Sequence, residues 1–286
     1  MDVISGLAQL RLGYHVSISG GVDMAVDRAV ELGCDTFQIF TRNPRSWRSR
    51  QLADEEVAAF RAKRAEAGLD PVVGHMPYIL NLASPQDEVY GRSVGSLAVG
   101  LERCSALGIG FLVTHLGSHL GSGAEAGLRR VVGALDGVLG GDGTDVVVLL
   151  ENGAGSANGV GSSFEELGRI LDGVGCPGRV GVCLDTCHMF VAGYDVRTRE
   201  ALGETLDAFD SSVGFGRLGV VHLNDSVGAL GSGRDHHEHI GLGEIGLDGF
   251  RAIVGSRLAC LPLILETPLD GRRGEDLGVV RGLLGP

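Results

Sequence analysis

The chain has 286 residues, 44% of them apolar, enough for a large core. Its 48 glycines follow no Gly-X-Y period, which excludes a collagen-like fibre, and no long polar tract suggests disorder. A net charge of −12 argues against a general polyanion binder, so a phosphate-bearing substrate would need a local basic patch or bound cations.

The first strand-like run is Leu12–Val16, and Val22–Leu32 follows with Val22, Ala25, Val26, Ala29 and Val30 on one helical face. Strand-like Thr36–Phe40 precedes helical Asp54–Ala67, and Pro71–His75 precedes Ser93–Leu107. The alternation continues with Phe111–His115 and Ala126–Leu139, then Val146–Glu151 and Phe164–Leu171. Val180–Asp185, Thr198–Phe209, Gly219–Asn224, Leu247–Val254, Leu261–Glu266 and Asp276–Leu284 complete it. Eight strands alternating with eight helices predict an α/β fold, a single (β/α)8 TIM barrel over residues 1–286. Continuous apolar strands such as Val146–Leu150 suit a sheet buried on both faces.

Six cysteines without a CxxC spacing read as reduced, mostly buried thiols of a cytoplasmic protein. No basic flank leads into a long apolar segment at the N-terminus, and no apolar run reaches the ~18 residues of a membrane span, so neither a leader nor a span is expected.

Ligand-type side chains close six of the strands: His75, His115, Glu151, Asp185, His222 and Glu266. His188, Asp235 and His237 follow close behind two of those ends. In a barrel of this kind the C-terminal strand ends form the active rim. A carboxylate closing an apolar strand is costly without a partner, and several on one rim need cations to stay ionised. Taken alone, the Asp185–His188 spacing is a weak signal, with a helix N-cap beside an ordinary histidine as the alternative, and the polar stretch around Asp235-His236-His237 has a solvated loop as its alternative. In extended chain, however, Asp235 and His237 point the same way and His236 turns outward. Nine such donors exceed what a structural zinc uses and predict a cluster of metal ions doing chemistry. Cys187 is expected to point away; His15 and His119 are expected to be structural or supporting, and His239 has no assigned role. The loop Thr41–Arg48 carries basic groups and the single tryptophan, Trp47, which suits phosphate contact and base stacking; Tyr78 and Ile79 lie near the same rim.

These motifs resemble the endonuclease IV family of apurinic/apyrimidinic endonucleases over nearly the whole chain. The matching pieces run in order from His15-Val-Ser-Ile-Ser-Gly-Gly21 through Phe40-Thr-Arg-Asn-Pro-Arg-Ser-Trp47, His75-Met-Pro-Tyr78 and His115-Leu-Gly-Ser-His119. Glu151-Asn152, Cys183–Asp195, His222-Leu-Asn-Asp225, Asp235-His-His237, Ile240–Gly243 and Leu265-Glu-Thr-Pro268 follow. The resemblance implies a zinc-dependent hydrolase of base excision repair with three Zn2+ per chain. By position, His75, His115 and Glu151 would hold one ion, Glu151, Asp185, His222 and Glu266 a second, and His188, Asp235 and His237 a third. Glu151, Asp185 and Glu266 would be the catalytic carboxylates, and Arg45, Tyr78 and Ile79 would enter damaged double-stranded DNA. It further implies cleavage 5′ to the abasic site, leaving a 3′-hydroxyl and a 5′-deoxyribose phosphate. A monomer without an obligate protein partner is the corresponding expectation. His236 stands where the family often has arginine, so a phosphate contact there is expected to be weaker; Leu116, Gly153 and Ser156 are further departures, none at a ligand.

The rival reading is a sugar isomerase or epimerase on the same barrel, using only Glu151, Asp185, His222 and Glu266 around one divalent ion. The remaining five ligand-type residues and the Arg/Trp loop argue against it, as the complete set argues against a silent zinc-binding scaffold.

Overall fold

A computed structural model describes residues 10–141 and 143–283. The N-terminal segment read as lacking a leader, and the helix end expected at Leu284, lie outside the described residues. The strands in chain order are β1 (Arg11–Tyr14), β2 (Phe37–Phe40), β3 (Val72–His75), β4 (Phe111–Thr114), β5 (Val147–Glu151), β6 (Val180–Asp185), β7 (Leu218–His222), β8 (Asp225–Ser226), β9 (His237–Glu238) and β10 (Pro262–Leu265). The helices are α1 (Asp23–Glu31), α2 (Asp54–Ala67), α3 (Asp87–Leu107), α4 (Ala124–Leu139), α5 (Phe164–Gly173), α6 (Thr186–Ala192), α7 (Arg199–Ser212), α8 (Gly246–Val254) and α9 (Asp276–Gly282).

Eight strands form one parallel sheet in the order β1-β10-β7-β6-β5-β4-β3-β2. A parallel bridge between His15 and Gln38 joins its two ends, with the Val16 N–H donating to the Gln38 carbonyl at 2.8 Å. The expected TIM barrel is therefore present and closed. Closure requires Gly13: a Cβ there would lie 1.6 Å from the carbonyl oxygen of Thr36.

Side chains alternate in and out along each strand. Val73, Val113, Leu149, Cys183, Val220 and Ile264 pack together as a separate apolar cluster inside the barrel. Each lies two residues before His75, His115, Glu151, Asp185, His222 or Glu266. The inward-facing position after each apolar plug residue is thus a ligand-type residue, which turns all six into the mouth of the barrel. In register Asp185 pairs with His222, whereas His75 pairs with Val113, Glu151 with Cys183 and His222 with Ile264, so the six step around the tilted strands of the rim.

The helices pack outside through their apolar faces: Ala25, Val26 and Ala29 of α1 are buried, whereas Val30, expected on that face, is exposed. Helix α3 starts at Asp87, earlier than the expected Ser93, with Asp87 and Glu88 in its first turn, where acidic groups oppose the helix dipole. Three elements were not expected. Helix α6 begins directly after β6, and β8 and β9 form a two-stranded antiparallel ribbon with Asp225 paired to Glu238 and Ser226 to His237.

Candidate metal centre

The end of β3 supplies His75, the end of β5 Glu151, the end of β6 Asp185 and the end of β7 His222. His115 and Glu266 stand one residue beyond β4 and β10. His75, Glu151, Asp185, His188 and His222 are buried, His115, His237 and Glu266 half-buried, and Asp235 exposed.

The donors fall into three adjoining groups. His75, His115 and Glu151 form the first: Glu151 Oε2 lies 3.1 Å from His75 Nε2 and 3.4 Å from His115 Nε2. Glu151, Asp185, His222 and Glu266 form the second, their donor atoms all within 4.8 Å of one another. His222 Nδ1 faces Glu151 Oε1 at 3.3 Å, Glu266 Oε2 at 3.6 Å and Asp185 Oδ2 at 3.9 Å. Around the third lie two overlapping trios, Asp185, His188 and His237, and Cys187, Asp235 and His237; the expected His188, Asp235 and His237 are linked pairwise, with Asp235 Oδ1 3.2 Å from His188 Nε2 and 3.6 Å from His237 Nε2. Asp185 also approaches it, 3.6 Å from His237 Nε2, so this carboxylate stands between the second and third groups as Glu151 stands between the first and second.

Asp185 is an N-cap and also lies at the cluster. Its Oδ1 accepts the His188 N–H at 2.8 Å as the N-cap of α6, and its Oδ2 faces the cluster. The cap starts a helix without an intervening loop, which brings His188 back over the rim.

The imidazoles are oriented as metal ligands are, the non-coordinating nitrogen held by a fixed acceptor. The Nδ1–H groups of His75, His188 and His237 donate to the carbonyls of Met76, Asn152 and Glu266 at 2.6, 3.0 and 3.2 Å, which turns Nε2 towards the cluster. The Nε2 of His237 is buried and makes no hydrogen bond, although two carboxylates lie 3.6 Å away. That spacing is too long for a hydrogen bond and suits donors placed around a cation. The nitrogen and oxygen donor set fits zinc.

Electrostatics agree. Burial pushes the Glu151 carboxyl up, but His115 and His222 more than offset it and hold it well below the ordinary carboxylate range. Glu266 is likewise pushed up by burial and brought well below that range by His222 and His15. Burial pushes the His188 imidazole down, and Asp185, Asp235 and Glu151 together raise it to about 10. Carboxylates packed this densely demand positive charge among them, which dications supply compactly. Cys187 lies within ligand range of Asp235 and His237, but burial pushes its thiol up to about 12, and Sγ points to the His236 carbonyl at 3.8 Å. His236 is exposed, as the alternation around Asp235 and His237 requires.

Other loop residues divide between support and exposure. Asp225, buried, accepts backbone N–H groups of Gly241, Gly243 and Ile245 at 2.9, 3.0 and 3.0 Å and so pins the segment after β9. A Cβ at Gly243 would lie 2.4 Å from the Ser226 carbonyl oxygen, so only glycine fits that wrap. His119 Nδ1 accepts from Gly121 and Gly123, and His239 is held between Asp270 and Asp276. Neither faces the cluster.

A cavity of about 920 Å³ opens beside the centre, with His15 and Phe40 on its inner wall and Arg45, Arg48, Tyr78 and Leu269 towards solvent. Arg45 and Tyr78 are exposed, whereas Ile79 is half-buried and packs against the core. The Thr41–Arg48 loop divides the same way. Trp47 packs inward, and buried Arg42 braces the loop by donating to the Ser46 carbonyl and to Ser96 Oγ.

Sequence reasoning passed over Gln38, Asn152 and Asn224. Asn152 Oδ1 accepts the Asp185 N–H at 2.7 Å, and Asn224 Nδ2 donates to Asp185 Oδ2 at 2.6 Å. Both asparagines directly follow or nearly follow a strand-end ligand, and that position was the available signal. Gln38, fully buried on β2, contacts His222 and Glu266; a lone polar residue in Phe37–Phe40 was its only trace.

A family model described as a xylose isomerase-like TIM barrel matches residues 26–283. The chain is 53% identical over 278 residues to a probable endonuclease 4 of Methanoculleus marisnigri, covering 96% of this chain and 99% of that protein. It is 48% identical over 277 residues to a probable endonuclease 4 of Cenarchaeum symbiosum, covering 95% and 98%. The crystal structure of endonuclease IV from Thermus thermophilus superposes with a TM-score of 0.85 at 43% identity, covering 96% of this chain and 98% of that one. A D-tagatose 3-epimerase-like protein shares the fold, with a TM-score of 0.73 at 18% identity over 95% of this chain and 97% of that one. With these donors gathered at the rim and these relatives matched over nearly their whole length, the chain belongs to the endonuclease IV family.

Proposed function

We propose that the chain, working as one domain, is a DNA-repair endonuclease. It hydrolyses the phosphodiester 5′ to an abasic site in duplex DNA, leaving a 3′-hydroxyl and a 5′-deoxyribose phosphate, at a centre of three zinc ions. The observation that carries this reading is the contiguity of the three donor groups through Glu151 and Asp185. A single-ion isomerase needs only the second group, and nothing in its chemistry calls for the first and third.

Zinc bound there would supply Lewis acidity towards phosphate oxygens and lower the pKa of water towards about 7. The protein's own part is orientation. Glu151 and Asp185 hold neighbouring groups at fixed spacing, and the backbone carbonyls of Met76, Asn152 and Glu266 keep three imidazoles turned inward. Arg45 and Tyr78, exposed on the cavity beside the centre, are the candidate DNA contacts. Ile79 is proposed to back Tyr78 rather than to enter the duplex by itself. An abasic nucleotide has no base to unstack, so its extrusion costs less than that of an intact one. The reading includes a monomer acting in the cytoplasm at the nucleoid. No described helix is long and apolar enough to cross a membrane.

The test is incubation with abasic duplex before and after thorough chelation, with elemental analysis of the purified chain. Three zincs and chelator-sensitive incision are expected. Incision that survives metal removal would overturn the mechanism, and one manganese or magnesium per chain with sugar turnover would favour the isomerase.

A further inference from the structure

Strands β3 to β7, and β10, place an apolar residue two positions before the ligand-type residue at the rim. On β2 the residue two positions before Phe40 is Gln38, fully buried. A buried primary amide must find partners for both its ends. Gln38 finds them on two rim ligands. Its Nε2 donates to Glu266 Oε1 at 2.7 Å, and its Oε1 lies 2.9 Å from His222 Nε2.

The chemistry of these partners orients the amide and fixes the hydrogen on His222 Nε2. An ionised Glu266 can only accept, so the amide end facing it is the NH2 group. The other end is then the carbonyl oxygen, which can only accept, so His222 Nε2 carries the hydrogen. His222 Nδ1 is the other ring nitrogen, turned towards Glu151, Asp185 and Glu266, and is the atom the ring would offer to an ion. His75, His188 and His237 do the reverse, with Nδ1 on a backbone carbonyl and Nε2 inward. At His222 the side chain of Gln38 takes the part that a backbone carbonyl plays for those three. His15 adds a brace, with Nδ1 2.9 Å from the same Glu266 oxygen and 3.0 Å from Gln38 Nε2.

We propose that Gln38 is a positioning residue for the second metal group: its amide clamps His222 and Glu266 together and presents His222 through Nδ1. This deepens the metal-centre reading and rests on it. The amide of Gln38 binds ligands of the second group alone, so its loss acts on one ion of the three.

The experiment uses the zinc-loaded full-length chain and the variant Gln38→Met, which keeps the side chain's length and removes both hydrogen-bonding ends. Zinc release into a chromophoric chelator is followed ion by ion, with the thermal melt of each metal-free protein beside it. Removal of such an outer partner typically weakens metal affinity about 10–100-fold. One ion in the variant is expected to dissociate that much more readily, the other two to be released as in the wild type, and the metal-free melts to coincide. In 15N-histidine spectra of the loaded wild type, His222 is expected to show a protonated Nε2 and a metal-bound Nδ1. Wild-type release of all three ions by Gln38→Met would overturn the inference. So would equal weakening of all three with a lowered metal-free melt, the mark of a merely structural side chain, and so would a His222 bound through Nε2. Should Gln38→Met fail to fold, Gln38→Asn, which withdraws the amide by one methylene, gives the same readout. A wild type that takes up no zinc would remove the metal-centre reading itself; three ions held alike in wild type and variant would remove only the part given to Gln38.

Discussion

Glu151 reaches across the centre, with its two oxygens facing His75 and His115 on one side and His222 and His188 on the other. Replacing it by glutamine keeps the shape but removes half of the acceptor capacity and the charge that two groups share. Glu151→Gln is expected to cut kcat/KM on abasic duplex by at least about a thousandfold, roughly 4 kcal/mol of transition-state stabilisation, and to lower zinc content. Full turnover with full metal content would remove Glu151 from the centre. Tyr78 belongs to a different step. Tyr78→Ala is expected to weaken binding of abasic duplex by about 1–3 kcal/mol, the size of one stacking contact, with zinc content unchanged; unaltered affinity in a titration would take Tyr78 out of the interface. At this scale most of the centre was legible, because strand ends mark the rim and ligand chemistry marks the residue. Gln38 was not, because its partners lie 184 and 228 residues away and a glutamine in an apolar strand has no local signature.

The elements that sequence periodicity missed are the short ones that aim the third group. Ribbon strands β8 and β9 have two residues each, too few to display a period, and α6 has seven and grows directly out of β6. Their cohesion depends on Asp225, whose carboxylate gathers the backbone N–H groups of the following loop. Asp225→Ala would leave those donors without their acceptor. A loss of about 2–4 kcal/mol in denaturant unfolding is expected, together with easier release of one zinc, and a stability within about 0.5 kcal/mol of wild type would contradict it. The start of α2 offers a pH test. Arg50, exposed, holds the half-buried Glu56 at about 2 against the opposing effect of burial. A carboxylate depressed in the fold contributes stability above its unfolded value near 4.5 and loses that contribution as pH falls from about 4.5 to about 2. The stability gap between wild type and Glu56→Gln is therefore expected to be widest at neutral pH and to close over that window. A gap that stays constant would place the role of Glu56 elsewhere.

For the molecule as a whole, the alternation of strands and helices was enough to foresee the barrel, since eight parallel strands each followed by a helix are the makings of a closed ring with the helices outside. The closing contact itself was not visible: it depends on the His15–Gln38 bridge and on the room left by Gly13, both properties of backbone approach rather than of composition. The same scale sets the problem of how a chain with a net charge of −12 attracts DNA. Arg45 and Arg48 on the cavity give a local basic wall, and three bound dications would halve the formal negative charge while concentrating the change at the rim. Phosphate binding should then depend on metal as much as on arginine. Anisotropy with abasic duplex at about 50 and 200 mM salt is expected to show binding by the metal-stripped protein at least about tenfold weaker than by the loaded protein. Lower salt would not restore it, because weaker screening strengthens the repulsion between an uncompensated acidic rim and the backbone as well as the attraction to the arginines. A stripped protein that bound abasic duplex as tightly as the loaded one would assign recognition to the loops alone and leave the cluster to chemistry.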